Sequence, residues 1–332
     1  MKFLVIRFSS IGDIVLATPA IRCLKKRYPD AELHFLTKKK MKAVTEANPY
    51  IDKFHYFDKD FKGMATALKA EQFDYVIDLH KNLRTLRLRF WIRAKWYSYR
   101  KLSLQKFLLT KFHWDVMAKE HITTRSLNTL LPLDVSDDGL GLDYFIPDRE
   151  KVDLRTLPEF LHQGYGAVVI GASYYTKKLP PEKLTELIDR LNYPVMLMGG
   201  PEDTLIGDQI ISNTKNKKAW NSCGKFSLNG SADLVRQADW VISHDTGLQY
   251  IACAFQKRVM AIWGGTSPKL AVEPYYGAKA SATARSYRNY IVPNLPCQPC
   301  SNFGLKACPK KHFNCMRLQN IEAIVRDALQ GF

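Results

Sequence analysis

A chain of 332 residues with 46% apolar side chains is long enough for two ordinary domains. Its formal charge of +17 calls for an anionic partner: a phosphorylated substrate, a membrane surface or nucleic acid. No segment approaches the roughly 18 uninterrupted apolar residues of a membrane span, and the apolar run between Lys2 and Arg7 is too short for the core of a secretory signal. A cytoplasmic protein with reduced thiols is therefore expected.

In chain order, KFLVIRF (Lys2 to Phe8) reads as a strand, and Ile14 to Tyr28 carries apolar residues near the helical period. Glu32 to Leu36 and Lys53 to Phe57 read as strands, with a short helix at Lys40 to Ala47 between them. Phe61 to Glu71 is helical, and DYVIDL (Asp74 to Leu79) is a buried-type strand. After a polar, less regular stretch from Ser136 to Gly164 the rhythm restarts. Strands are predicted at Tyr165 to Ala172, Tyr193 to Met198, Ala219 to Ser222, Trp240 to Ser243 and Arg258 to Trp263. Helices are predicted at Pro181 to Leu191, Glu202 to Ile211, Leu228 to Gln237, Leu248 to Phe255 and, at the end, Ile321 to Leu329. Alternating strands and helices mean parallel sheets. The expectation is an α/β chain of two doubly wound domains, residues 1–155 and 156–332, with ligands held in a cleft where the strand ends face each other.

Three strand ends in the second half carry residues suited to a ligand. SHDTGLQYIACAF (Ser243 to Phe255) puts Asp245, Thr246 and Gly247 at a helix start, where free amides and the helix dipole suit a diphosphate. Capping of that helix by its own Asp or Thr explains the same letters. GASYYTKKLPPEKL brings Ser173, Lys177 and Lys178, cations placed before a helix. MGGPED adds two glycines and Glu202, an acid suited to ribose hydroxyls or a base edge.

Those segments, together with VIRFSSIGDIVLATPAIRCLKKRYPDAELHFLT, VIDLHKNLRTLRL and VMAIWGGTSP, resemble the family 9 glycosyltransferases in order and spacing over nearly the whole chain. These are the ADP-heptose:lipopolysaccharide heptosyltransferases and their relatives. The resemblance implies a GT-B fold of two Rossmann-like domains, the first binding acceptor and the second nucleotide sugar. It implies an inverting, metal-independent transfer of heptose from ADP-heptose to the lipopolysaccharide inner core, Kdo-lipid A or heptose, with no cofactor required. Asp13 matches the proposed general base and Lys177 the phosphate-contacting lysine. Asp245, Thr246 and Gly247 match the diphosphate loop, and Ser173, Glu202 and Phe226 match positions near the nucleoside. Relatives usually carry His where this chain has Tyr250, which leaves other nucleotide-sugar donors open. For Asp13 the competing role is a helix cap, alongside Ser9 and Ser10.

From Lys81 to Lys111, basic and aromatic residues interleave. As a helix the segment would set Leu83, Leu86, Leu88, Phe90 and Trp91 on one face and Arg84, Arg87 and Arg89 toward an anion. Asn82, Arg84, His121 and Arg125 are acceptor-side candidates, with Ser10 and Gly12 beside Asp13. The anions in view are lipid A phosphates and Kdo carboxylates at the inner face of the inner membrane, where each near-surface cation gains about 1 kcal/mol. A solvated amphipathic helix is the plain alternative. No nucleic-acid module is present, so nucleic acid is not an expected partner; a basic binding protein without catalysis is the third reading. Finally, Cys297, Cys300, Cys308 and Cys315, with His312 nearby, fit structural zinc, reduced thiols in a tight loop, or disulfides.

Overall fold

Residues 1–279 and 287–331 are described in this computed structural model. The chain divides into two units. The first comprises 1–101, 120–145 and 277–279, and the second 102–119, 146–276 and 280–332.

The first unit is built on β1 (Lys2–Ile6), four of whose five residues are fully buried. Burying each such side chain is worth about 1.5–3 kcal/mol, so the run forms the middle of a sheet rather than an edge. Helices α1 (Ile11–Val15) and α2 (Thr18–Arg27) follow. The continuous apolar period predicts a single helix here, but Pro19 has no N–H to donate, the Val15 carbonyl is taken by the Thr18 hydroxyl at 2.7 Å instead, and a new helix starts with proline in its first turn. Next come β2 (Glu32–Lys38), α3 (Lys42–Thr45), β3 (Lys53–Phe57), α4 (Phe61–Ala70), β4 (Tyr75–Asp78), α5 (Leu83–Arg89) and β5 (Lys95–Ser98). All strands are parallel, in the order β3-β2-β1-β4-β5. α6 (Ser103–Phe112) belongs to the second unit and α7 (Ile122–Asn128) to the first. The irregular polar stretch near 138–143 is anchored by the buried Arg22, which pairs with Asp138 at 2.8 Å and with Asp143.

The second unit contains β6 (Gly166–Val169), α8 (Pro181–Leu191), β7 (Val195–Met198), α9 (Thr204–Asn213), β8 (Ala219–Asn221), α10 (Leu228–Gln237) and β9 (Trp240–His244). It continues with α11 (Gly247–Ala254), β10 (Arg258–Ile262), β11 (Tyr287–Tyr290), α12 (Asn314–Arg317) and α13 (Ile321–Gln330). Its parallel sheet runs β11-β10-β9-β6-β7-β8. Gly166 sits opposite Trp240 in the ladder, and a Cβ there would meet the indole at 2.0 Å, which is why that strand opens with glycine. Helix α8 buries Leu184, Leu187, Ile188 and Leu191, at helical spacing, in one core with Ile321, Ile324 and Ala328 of α13.

Where Lys81 to Lys111 reads as helix-forming, the structure interposes β5 between α5 and α6. In α5 only Thr85 and Leu88 are buried, while Leu83, Leu86 and Phe90 are exposed. Among the described residues no helix is long and apolar enough to cross a membrane.

Candidate active site

In the first unit, the chain leaves the carboxyl end of β1 through Arg7 and turns into α1. The Asp13 carboxylate accepts from the Ser10 amide at 2.9 Å and from the Ser10 hydroxyl at 2.8 Å, through Oδ2. Its Oδ1 lies 2.5 Å from Arg7 Nη2. Burial acts to raise the Asp13 carboxyl, but the Arg7 guanidinium and the two Ser10 donors outweigh it and hold the group below its usual range. The side chain keeps 32% exposure, so an ionised oxygen stays accessible. Gly12 is buried beside it.

Arg7 is itself fixed. Its Nη1 donates to the Leu79 carbonyl and its guanidinium lies 5.7 Å from the Tyr99 ring centroid. On the same ring, at 6.0 Å, sits Arg125, almost fully buried. It donates to the carbonyls of Arg100 (2.9 Å) and Glu120 (3.2 Å), while its Nη2 has no hydrogen-bond partner among the described residues. His121 caps α7, its Nδ1 accepting from the Thr123 amide. Asn82 caps α5, its Oδ1 accepting from the amides of Arg84 and Thr85 at 2.9 and 3.1 Å. The exposed Arg84 lies over Phe57 at 5.7 Å. Asp13 and Arg125 thus share the Arg7–Tyr99 neighbourhood, whereas Asn82 and His121 already spend their acceptors on caps.

In the second unit, the loops after β6, β7 and β9 leave adjacent parallel strands at their carboxyl ends, where open α/β sheets bind ligands. Lys177 Nζ pairs with Asp245 Oδ2 at 2.7 Å, both side chains nearly buried. Asp245 also accepts from Thr266 Oγ at 2.9 Å, and the Tyr250 hydroxyl lies 3.1 Å from its Oδ1 and 2.7 Å from the Val272 carbonyl. Tyr250 is therefore turned inward onto Asp245. Thr246 is the N-cap residue of α11 without using its side chain, and Gly247 opens the helix, so its first amides face outward with the positive end of the dipole. Lys178 is claimed by the buried Asp203 at 2.6 Å. Ser173 and Glu202 are exposed on their loops, and Phe226 packs edge-on against Trp220 at 6.2 Å.

The segment from Cys297 to Cys315 packs against this site. The Thr176 hydroxyl accepts from the Leu305 amide at 2.8 Å, the Thr176 carbonyl accepts from the Gly265 amide at 2.7 Å, and Gly265 in turn accepts from the Cys300 amide at 3.0 Å. Gly304, at φ +98°, lets the segment pass so close that a Cβ would stand 2.7 Å from Tyr174 Cβ and 3.0 Å from Lys177 Cδ. All seven cysteines are free thiols. Cys297, Cys300, Cys308 and Cys315 line one small pocket with His312, whose Nε2 is 3.8 Å from Cys297 Sγ. Among the described residues, the groups with ligand atoms all within 4.8 Å of one another lie elsewhere, at His34–His55–Glu71 and Cys23–Asp137–Asp138.

Arg7, Tyr99, Thr176 and Thr266 are neighbours of the candidate residues that sequence reasoning missed. Arg7 stands two residues before SSIGD in the quoted VIRFSSIGD stretch but reads as the end of a strand. Tyr99 lies in no quoted segment and Thr266 stands in VMAIWGGTSP without being singled out, since only the fold brings Tyr99 to Arg7 and Thr266 to Asp245.

The two Rossmann-like units have the architecture of the GT-B glycosyltransferases. The chain belongs to glycosyltransferase family 9 (heptosyltransferase), whose model matches residues 62–309. Lipopolysaccharide heptosyltransferase 3 of Escherichia coli K12 is 26% identical over 282 residues, covering 77% of this chain and 80% of that protein. In structure the chain resembles ADP-heptose lps heptosyltransferase II of E. coli, with TM-score 0.69 and 17% identity over 96% of this chain and 98% of that one. It also resembles E. coli heptosyltransferase WaaC with ADP, with TM-score 0.66 and 19% identity over 87% and 93%.

Proposed function

We propose that this glycosyltransferase moves heptose from ADP-heptose to the lipopolysaccharide inner core with inversion and without a catalytic metal, at the cytoplasmic face of the inner membrane. One observation carries the reading: the Asp13 carboxylate is held ionised by Arg7 and Ser10 yet remains a third exposed, as a general base must be. The acceptor hydroxyl attacks the anomeric carbon as its proton passes to Asp13, and the bond from that carbon to the nucleotide diphosphate breaks on the opposite face. The leaving diphosphate takes its countercharge from Lys177 and the first amides of α11, with Asp245 fixing Lys177 until donor arrives. Ser173, Glu202 and Phe226 flank the nucleoside. Ser10, Gly12, Asn82, Arg84, His121 and Arg125 serve the acceptor, with the buried Arg125 offering its unpartnered Nη2 to a carboxylate or phosphate.

The test has two arms. At 100 times its dissociation constant a nucleotide stabilises the protein by about 2.7 kcal/mol, so ADP should raise the melting temperature where GDP and UDP do not. D13N should keep that ADP shift and lose transfer by about 10²–10⁴-fold. Stabilisation by UDP or GDP alone defeats the donor assignment, and full activity in D13N defeats the base. A second reading, a different nucleotide-sugar donor, draws support from Tyr250, which is turned onto Asp245 and adds no charge to the loop.

A further inference from the structure

We propose that His34, His55 and Glu71 form a binding site for a divalent transition metal of the zinc type on the first unit's sheet, separate from the residues of the transfer reaction. His34 lies in β2, His55 in the adjacent β3, and Glu71 caps the end of α4 just before β4. His34 Nδ1 and His55 Nε2 face each other at 2.9 Å, and a Glu71 carboxylate oxygen completes a group whose ligand atoms all lie within 4.8 Å of one another. Two nitrogens bound at 2.0–2.1 Å to a tetrahedral zinc stand about 3.3 Å apart, so the rings need to part by only a few tenths of an ångström.

The far side of His34 has a carboxylate within reach. Its buried Nε2 makes no hydrogen bond, but Glu32 Oε1 stands 2.8 Å away, next to the nitrogen that keeps its proton when Nδ1 binds a metal. His34 is fully buried, with the Phe73 ring edge-on at 5.0 Å, which holds the imidazole in place. His55 and Glu71 are only half-buried and leave an entry path. Two imidazoles, one carboxylate and one position left for water make a ligand set that suits zinc better than magnesium or calcium.

The same corner holds two competing cations. Lys53 Nζ lies 2.6 Å from Glu71 Oε1, and Lys2 Nζ lies 3.7 Å from Glu71 Oε2 and 3.2 Å from Glu32 Oε2. Lys53 is half exposed on a flexible stem and can give up Glu71 to a metal by swinging into solvent. Lysine and metal therefore exclude each other at Glu71, and the bound metal ties β2 and β3 to the end of α4.

The experiment titrates the full-length protein with Zn²⁺ against a chelating dye and records the spectrum with Co²⁺. The wild type should bind one equivalent that H55A and E71Q lose. E32Q should weaken it by about 10–100-fold, and K53M should tighten it. The Co²⁺ complex should show weak d–d bands without thiolate charge transfer, and C297S/C300S should leave binding unchanged. No binding by the wild type, equal binding by H55A, or a thiolate band that vanishes in C297S/C300S would each overturn the proposal. An unchanged ADP-induced thermal shift in H55A certifies that the variant is folded.

Discussion

Arg7 Nη2 stands 2.5 Å from Asp13 Oδ1, a cation built into the strand end that precedes the carboxylate by six positions. Arg7 is buried and tied to Leu79 and Tyr99, so it cannot follow Asp13 elsewhere. The Asp13 pKa is lowered, so with Asp13 as the proposed base, activity is expected above that pKa and is lost as pH falls through it. Replacing Arg7 by Met raises the Asp13 pKa and moves the acid limb of the kcat/KM profile to higher pH. R7K restores part of the shift, because lysine supplies the charge without the two-pronged geometry. An acid limb that stays put in R7M would remove Arg7 from this role.

Lys177 and Asp245 form a nearly buried pair. Removing one member strands the other charge, so D245A should cost about 3–5 kcal/mol of stability. K177M should destabilise comparably and also abolish the ADP-induced thermal shift. In K177M/D245A no buried charge is left alone, and part of the stability should return relative to the sum of the two single losses. Additive losses in the double variant would show that the two residues do not act as a pair.

His244 closes β9 and accepts the Leu179 amide proton through Nε2 at 2.9 Å. Burial first, then Lys178 and Lys177, pushes its pKa down to about 3. A histidine at its ordinary pKa of about 6.5 in the unfolded chain takes up a proton that the native state refuses. The stabilising effect of this neutral ring is thus complete above pH 6.5 and shrinks toward pH 3, by up to about 1.4 kcal/mol per pH unit. Urea titrations across that range should show a shallower acid decline in H244Q, whose amide oxygen can still accept from Leu179. An identical slope would mean that His244 does not carry the term.

Helix α6 and the residues after it leave Leu104, Phe107, Phe112 and Trp114 about half exposed or more, with Lys106 and Lys111 among them. Phe112 packs on both Phe107 and Trp114, making a continuous aromatic patch. Such a patch with flanking lysines suits the interface of an anionic bilayer. The protein should float with vesicles containing phosphatidylglycerol and not with pure phosphatidylcholine, and F107S/W114S should reduce the bound fraction several-fold. Equal flotation with both lipids would argue against a charged membrane partner.

Much of the fold was legible because the central strands are continuous apolar runs. β3, α8 and α10 begin and end where pattern reading places them. What escaped it were β5 and β11, four-residue edge strands whose KWYS and YRNY mix charge with aromatics and contain no aliphatic residue. At the site, Asp13, Lys177 and Asp245 stand in recognisable segments. Their partners did not show, since Arg7 is linked to Tyr99, and Asp245 to Thr266, through space rather than through spacing.

Thr176 has consequences beyond its own loop. Through its hydroxyl and carbonyl it joins the turn after β6 to the turn after β10 and to the segment around Leu305. The backbone under Lys177 is therefore specified by three stretches of chain separated by some ninety and forty residues. A chimera that imports only the YYTKK turn from a relative would carry the lysine without its register. The unit of exchange between such enzymes is the turn together with Gly264–Gly265 and the cysteine-bearing segment.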